Sequence, residues 1–279
     1  MDYYDEINPY IIRADSLLKN LFFALAPFYK KEHGEQQDVT IPLFTTLHST
    51  SESILILLLN QAIFDADVLL RTVMEGTIKY CYLMTGTDEE RCKKYLEYKE
   101  SLTEIDKLVD HKKAIEAIKI LKEFSSNSIK PFELSVLSED QIIELQSRYP
   151  KKLRTELKHR WSYQALLRSL AKDYPEYEAQ LGSLSTYSLS SHFCHYDWTG
   201  VLSRQAQING SADNVSEIYD VGHALRIISN ILSMEIFRTM EYMRGNNYNS
   251  QKAAKLSIEA IEFTTEIGAR ENQIVECGK

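Results

Sequence analysis

The sequence predicts an all-α protein, a multi-helix bundle with long apolar central helices and a projecting charged helical hairpin. Apolar residues recur at three- and four-residue spacing along much of the chain. Glycine and proline are scarce, with ten and six among 279 residues, whereas an all-β chain needs a turn about every 8–12 residues. No segment shows the sustained alternation of apolar and polar residues that is typical of strands.

The first predicted helices come from the most apolar part of the chain. Leucine and phenylalanine recur at helical spacing over the first thirty residues, which indicates an amphipathic helix. Residues 43–85 are still more apolar, and we expect two helices, or one bent helix, with a break near Asn60. Because apolar side chains occur on several of its sides, this segment is expected to lie at the centre of the fold.

A charged segment follows the central helices. Thr87 and the acidic residues directly after it are typical of a helix start. The apolar stripe over residues 91–124 is narrow, so residues 88–137 are expected to form a projecting hairpin or an insertion. Residues 125–131, rich in serine and ending in proline, are the predicted linker.

Shorter helices and two long ones complete the predicted fold. Their ranges are 139–147, 152–160, 162–172, 175–192, 215–244 and 249–267. Residues 193–212 are polar and contain Gly200 and Gly210, so a long polar loop is predicted there. We expect residues 1–279 to form a single, mainly helical domain.

Composition and patterning limit the function classes. The chain has 32 Lys and Arg against 40 Asp and Glu, a net charge of −8, which argues against non-specific nucleic-acid binding. The N-terminal residues lack the basic and apolar regions of a secretory signal, and the apolar stretch 54–59 is too short for a membrane span. The four cysteines show no zinc-site spacing. We therefore expect a cytoplasmic protein without membrane association.

One stretch of the chain is strongly basic. Between Arg148 and Arg168 there are seven Lys or Arg residues and a single Glu, a net charge of +6. The candidate RNA-binding residues in it are Lys151, Lys152, Arg154, Lys158, His159 and Arg160. Arg154 and His159 fit the R-x4-6-H pattern of helical ribonucleases, but about one such match is expected by chance in this chain. The alternative is that these side chains face water and balance acidic neighbours.

Three charged residues lie on one face of the central apolar segment. Arg71, Glu75 and Lys79 stand at i, i+4 and i+8, within reach of one another on a helix. One interpretation is an Arg that stabilises an anion or a transition-state charge, with a Glu that orients it or acts as a base. The other is a structural ion pair that joins the central helix to its neighbours.

The densest group of reactive side chains lies at residues 187–198. His192 and His195 are neighbours if the helix continues, and Asp197 can join them after a turn, which makes a weak alternative metal-ligand set. A histidine here can also act as a general acid or base. A third interpretation is a helix C-terminus that histidines stabilise. Nucleotide-binding and hydrolase motifs are absent from the sequence, so no cofactor is expected.

Three separated stretches together form a recognisable pattern. They are Leu70 to Glu75 in the apolar helix, the Trp161-Ser162 pair, and Tyr187 with Ser191 and His195. This pattern is similar to a widespread bacterial family of helical domains of unknown function, which we place loosely beside the HEPN superfamily. The resemblance covers about residues 51–200.

The resemblance implies a fold and an activity. HEPN proteins are helical bundles, often dimeric, in which an Arg and a His form a metal-independent RNA-cleaving site, frequently in toxins and phage defence. Carried over by position, the candidate catalytic residues are Arg71, Glu75, Ser191 and His195. The resulting hypothesis is an RNA endonuclease of bacterial defence or stress. The alternatives are a non-catalytic helical module that binds a protein partner or its own copy, and a metal-dependent hydrolase.

Overall fold

A computed structural model of the chain describes residues 2–29, 37–123, 128–210 and 214–277. Regular structure in these ranges is entirely helical, and no strand occurs in them, so the all-α prediction is confirmed. The chain divides into two compact units, Met1–Thr85 with Leu167–Lys279, and Gly86–Leu166. The second unit contains the whole predicted hairpin 88–137 and extends beyond it. That the chain is a single domain remains a prediction.

The α-helices are numbered along the chain. They are α1 (Tyr3–Tyr29), α2 (Gln37–Leu59), α3 (Ile63–Met84), α4 (Asp88–Leu96), α5 (Leu102–Leu121), α6 (Lys130–Glu133), α7 (Glu139–Arg148), α8 (Lys151–Arg160), α9 (Tyr163–Asp173), α10 (Ser183–His195), α11 (Trp198–Gly210), α12 (Asn214–Gly245) and α13 (Gln251–Cys277). A π-helical turn, Glu97–Ser101, joins α4 to α5, and a 3₁₀ helix, Pro175–Gly182, precedes α10.

The predicted break near Asn60 separates α2 from α3. Gln61 has a φ of 55°, in the left-handed region, and this conformation ends α2. In the described part of the chain, one helix, α2, has the length and the apolar composition that a membrane span requires. It packs against α1, α3 and α12. Helices in protein cores share that composition, because they bury apolar residues on several sides.

The centre of the first unit is α12, which packs against α1, α2, α3, α11 and α13. Its inner face carries fully buried apolar residues, among them Ile228 and Leu232. It also carries Glu235 and Arg238, both fully buried and ion-paired with each other. Arg238 donates a hydrogen bond to Thr77 of α3, so this pair ties the two central helices together.

The prediction of a loop over residues 193–212 is wrong, because most of this segment forms α11. Tyr196, with a φ of 48°, ends α10, and Asp197 accepts a hydrogen bond from the Gly200 amide in the first turn of α11. A Cβ atom on Gly200 would lie 2.4 Å from the carbonyl oxygen of His192, so the two helices meet closely at a glycine. Residues 211 and 212 lie outside the described ranges.

The second unit has its own small core. The predicted helix start is confirmed, because Thr87 and Glu90 form a capping box at the start of α4. The core is built on α5, which packs against α6, α7 and α8. Its buried members are Ile105, Leu108, Leu145, Tyr149 and Leu157. Of the predicted linker 125–131, residues 125–127 lie outside the described ranges.

Trp161 provides a stability test of the second unit. Its indole Nε1 donates to Glu97 Oε1 at 2.6 Å, and the ring is 4% exposed. Replacing Trp161 by Phe is expected to lower the free energy of unfolding by about 1.5–3 kcal/mol, because phenylalanine cannot donate to this carboxylate. Urea denaturation followed by circular dichroism measures this change. Trp198→Phe is the control, since Trp198 is 73% exposed, and equal losses in both variants would contradict the prediction.

Candidate functional site

The faces of α3 and α10 that pack together hold a polar cluster around Arg71. The Arg71 Nη1 donates to Ser191 Oγ at 2.7 Å, and Nη2 donates to Tyr187 Oη at 3.1 Å. The guanidinium carbon also lies 4.6 Å from the centre of the Tyr187 ring. Because Tyr187 and Ser191 are four residues apart on α10, they form one surface that holds the guanidinium.

Glu75 continues the cluster along α3. Tyr187 Oη donates to Glu75 Oε2 at 3.2 Å, and Lys79 Nζ donates to Glu75 Oε1 at 2.8 Å. Arg71 is linked to Glu75 through the Tyr187 hydroxyl. In the described ranges, no carboxylate lies within ion-pair distance of Arg71.

The electrostatics keep this cluster charged. Burial by itself raises the pKa of Glu75, but Lys79, Tyr187 and Arg71 outweigh it and hold the pKa below its ordinary value. Burial by itself lowers the pKa of Arg71, but Tyr187 and the nearby Cys194 outweigh it and raise it. Burial raises the pKa of Tyr187. At neutral pH the cluster therefore contains a carboxylate, a guanidinium and a neutral phenol.

The structure brings three of the four candidate catalytic residues together. Arg71 and Ser191 are in contact, and Glu75 joins them through Tyr187. His195 is one helical turn beyond Ser191, on the same face of α10, and its side chain is exposed. In the described part of the chain it makes no hydrogen bond or ion pair. It is thus free to meet a molecule that approaches Arg71 from solvent.

The alternative metal-ligand set does not come together. His192 Nδ1 lies 2.5 Å from Asp197 Oδ2, and the Asp197 carboxylate also accepts from the Gly200 amide. This pair links the end of α10 to the start of α11, and His195 is not part of it. No group of three or more His, Cys, Asp or Glu side chains with metal-binding geometry occurs among the described residues. The interpretation of His192, His195 and Asp197 as a ligand set is therefore wrong.

The basic stretch forms α8 in the second unit, and acidic residues of the same unit pair with part of it. Lys158 Nζ lies 3.1 Å from Asp106 Oδ1, and Arg160 Nη1 lies 2.9 Å from Glu97 Oε2. The side chains of Lys151, Lys152 and His159 are exposed.

The two residues of the R-x4-6-H motif do not lie on the same face of α8. Arg154 and His159 are five residues apart, which places them about 140° apart around the helix. Arg154 is half-buried and His159 is exposed. The two side chains therefore point in different directions.

A second polar network, which the sequence analysis missed, lies one turn along α3. Asp67 is fully buried and accepts hydrogen bonds from Ser190 Oγ at 2.7 Å and Arg226 Nη2 at 3.4 Å. His223 Nε2 lies 2.8 Å from Asp67 Oδ2. The available signal was an acid on the apolar face of α3, at Asp67, together with His223 and Arg226 three residues apart in α12.

The chain matches a known protein family. The sequence profile of a family of unknown function (DUF5677) matches residues 37–210. The matched range includes α3 and α10 with the Arg71 cluster, and it ends before α12. No curated protein and no solved structure matches the chain.

Proposed function

We propose that this chain, which belongs to the family of unknown function DUF5677, is a HEPN-like, metal-independent RNA endonuclease with its reaction centre on α3 and α10. The observation that carries the proposal is the environment of Arg71. Two hydroxyl groups, not a carboxylate, hold its guanidinium. Its positive charge is therefore available to a phosphate, for which the guanidinium geometry is well suited.

Each residue of the cluster has a role in this proposal. Arg71 binds the non-bridging phosphate oxygens and stabilises the negative charge that develops on them. Ser191 and Tyr187 fix the guanidinium in place. Glu75, whose pKa is lowered, is ionised at neutral pH, so it orients Tyr187 and Lys79 and does not act as a proton donor.

His195 is the group that moves the proton. The neutral imidazole accepts the proton of a ribose 2′-hydroxyl, whose oxygen attacks the adjacent phosphorus while the bond from phosphorus to the 5′-oxygen breaks. The leaving 5′-oxygen takes up a proton from the imidazolium or from water. The products are a 2′,3′-cyclic phosphate and a 5′-hydroxyl end, and no metal ion takes part.

The setting of this activity is part of the proposal. The net charge of −8 disfavours non-specific binding of nucleic acid, so RNA contacts are assigned to the exposed Lys151, Lys152 and His159 of α8 with their neighbours. We infer from the resemblance a cytoplasmic bacterial protein that acts in defence or stress as a homodimer.

A non-catalytic interaction module is the second candidate function. It is favoured by the pairing of Lys158 with Asp106 and of Arg160 with Glu97, which neutralises part of the predicted RNA-binding stretch. In this candidate a protein partner replaces RNA, and Arg71 has a structural role. The two candidates differ in one measurable property, which is cleavage of RNA.

The test is an RNA-cleavage assay on the purified full chain with total RNA, with and without EDTA. Cleavage is expected to survive EDTA, to disappear in His195→Ala, and to be weakened but not abolished in His159→Ala, which loses one RNA contact. Circular dichroism checks that both variants are folded. Loss of cleavage in EDTA, or in His159→Ala alone, contradicts the assignment. Absence of cleavage by the unaltered protein favours the interaction module.

A further inference from the structure

An open cleft of about 410 Å³ lies beside α12 in the first unit. Its walls are mainly apolar and include the rings of Phe64 and Phe193, which meet edge to face with their centres 4.8 Å apart. His223, Arg226 and Glu271 bring charged or titratable groups into it. The volume falls in the range of about 300–1,000 Å³ that is common for small-molecule sites, and a few polar groups on apolar walls are typical of them.

The charges in the cleft are not balanced. Arg226 donates to the buried Asp67, which also contacts His223, so these two groups are turned towards α3. Glu271 of α13 is half-buried, and in the described ranges it makes no ion pair or hydrogen bond. The Arg226 guanidinium is paired with Asp67, so Glu271 is the charged group of the cleft lining that has no ion partner among the described residues.

Burial raises the pKa of Glu271, although Arg226 and His223 act to lower it. The partly buried carboxylate has thus lost part of its hydration, and no ion pair with a described residue compensates for this loss. A ligand that places a positive charge next to Glu271 provides the missing ion partner. An anionic ligand is repelled by the same carboxylate.

We propose that this cleft binds a small organic cation, an amine with an aromatic body, whose ammonium group pairs with Glu271. The aromatic body packs on the partly exposed ring of Phe64, which the buried Phe193 supports edge to face. The Phe64 ring also attracts a cation that approaches its face. This site is independent of RNA cleavage, because none of the residues that contact Arg71 lines the cleft.

The test compares three probes of similar shape and different charge on the full chain. They are 2-phenylethylamine, 2-phenylethanol and phenylacetate, and calorimetry or ligand-observed NMR measures their affinities. The amine is expected to bind roughly tenfold more tightly than the alcohol, which corresponds to one ion pair in a partly buried site. Phenylacetate is expected to bind most weakly of the three.

Two variants assign the preference to Glu271. Glu271→Gln is expected to reduce amine binding to the level of the alcohol, whereas Glu262→Gln, an exposed carboxylate of the same helix, is expected to change nothing. Gly222→Leu tests the location, because a Cβ atom there has open space apart from a 3.9 Å contact with Ile274. The leucine side chain is expected to enter the cleft and to weaken binding of the amine at least tenfold.

Four results would overturn the proposal. They are no binding of the amine at its highest soluble concentration, equal binding of the three probes, preference for phenylacetate, and an unchanged preference in Glu271→Gln. A urea denaturation curve for each variant shows whether it is folded. Since Glu271 makes no ion pair with a described residue, Gln is expected to be tolerated there.

Discussion

Replacing Arg71 by Ala is expected to reduce RNA cleavage by a factor of about 10²–10³, which is the usual effect of removing one group that stabilises transition-state charge. The substitution removes the guanidinium that Ser191 and Tyr187 hold between α3 and α10. Initial cleavage rates at several RNA concentrations separate an effect on kcat from an effect on KM. We expect the loss in kcat, because the charge develops only in the transition state.

Arg13→Ala is the matched control for this substitution. It also removes an arginine from the first unit, at an exposed ion pair with Glu266. Arg71→Lys is expected to restore part of the activity, since it keeps the charge and loses the two-donor geometry. Equal cleavage by Arg71→Ala and Arg13→Ala, with both proteins folded, would remove Arg71 from the mechanism and leave it a structural role.

Replacing Arg238 by Met is expected to lower the free energy of unfolding by about 3–5 kcal/mol, the largest stability effect that we predict. Arg238 and Glu235 are fully buried in α12, so loss of the guanidinium leaves a buried carboxylate without its main partner. The substitution also removes the hydrogen bond to Thr77 that joins α12 to α3. Urea denaturation followed by circular dichroism measures the change.

Two further variants test whether the loss comes from the unpaired buried charge. Arg238→Met with Glu235→Gln removes both charges and is expected to recover part of the loss, because no unpaired buried charge remains. Arg13→Met removes one partner of an exposed pair and is expected to cost only about 0–1 kcal/mol. A loss in Arg238→Met as small as that in Arg13→Met would show that the buried pair contributes little.

The same pair makes stability depend on pH. Burial by itself raises the pKa of Glu235, but Arg238 and His48 outweigh it, so the pKa in the folded protein lies below the ordinary 4.5. The folded state then holds fewer protons than the unfolded state. This contribution to stability is present above pH 4.5 and is lost as the pH falls through the lowered folded-state value.

The Arg71 cluster shows how far residue patterns along a helix can predict a site. The i, i+4 spacing of Arg71 and Glu75 placed them on one face, and the structure has them there, linked through Tyr187. The contact between Arg71 and Ser191 joins residues 120 positions apart, and no local pattern contains it. Their association was predicted through the resemblance to a family, not through spacing.

The segment 193–212 shows where composition misleads. Its polar residues and two glycines resemble a loop, yet Asp197 caps a helix there and Gly200 permits close packing on α10. An exposed helix needs few apolar residues, because it buries only one narrow face against the rest of the protein. A polar composition therefore does not distinguish an exposed helix from a loop.

The sequence by itself determined the helical class, the break near Asn60 and the capped start at Thr87, because periodicity and capping are local properties of the chain. Only the tertiary structure decided which helix faces meet. It buried Asp67 between Ser190 and His223, paired Glu235 with Arg238 inside α12, and placed Glu271 in a cleft without an ion pair to any described residue. These arrangements depend on how distant segments pack, and the free energy of a buried charge is set by the partners that this packing supplies.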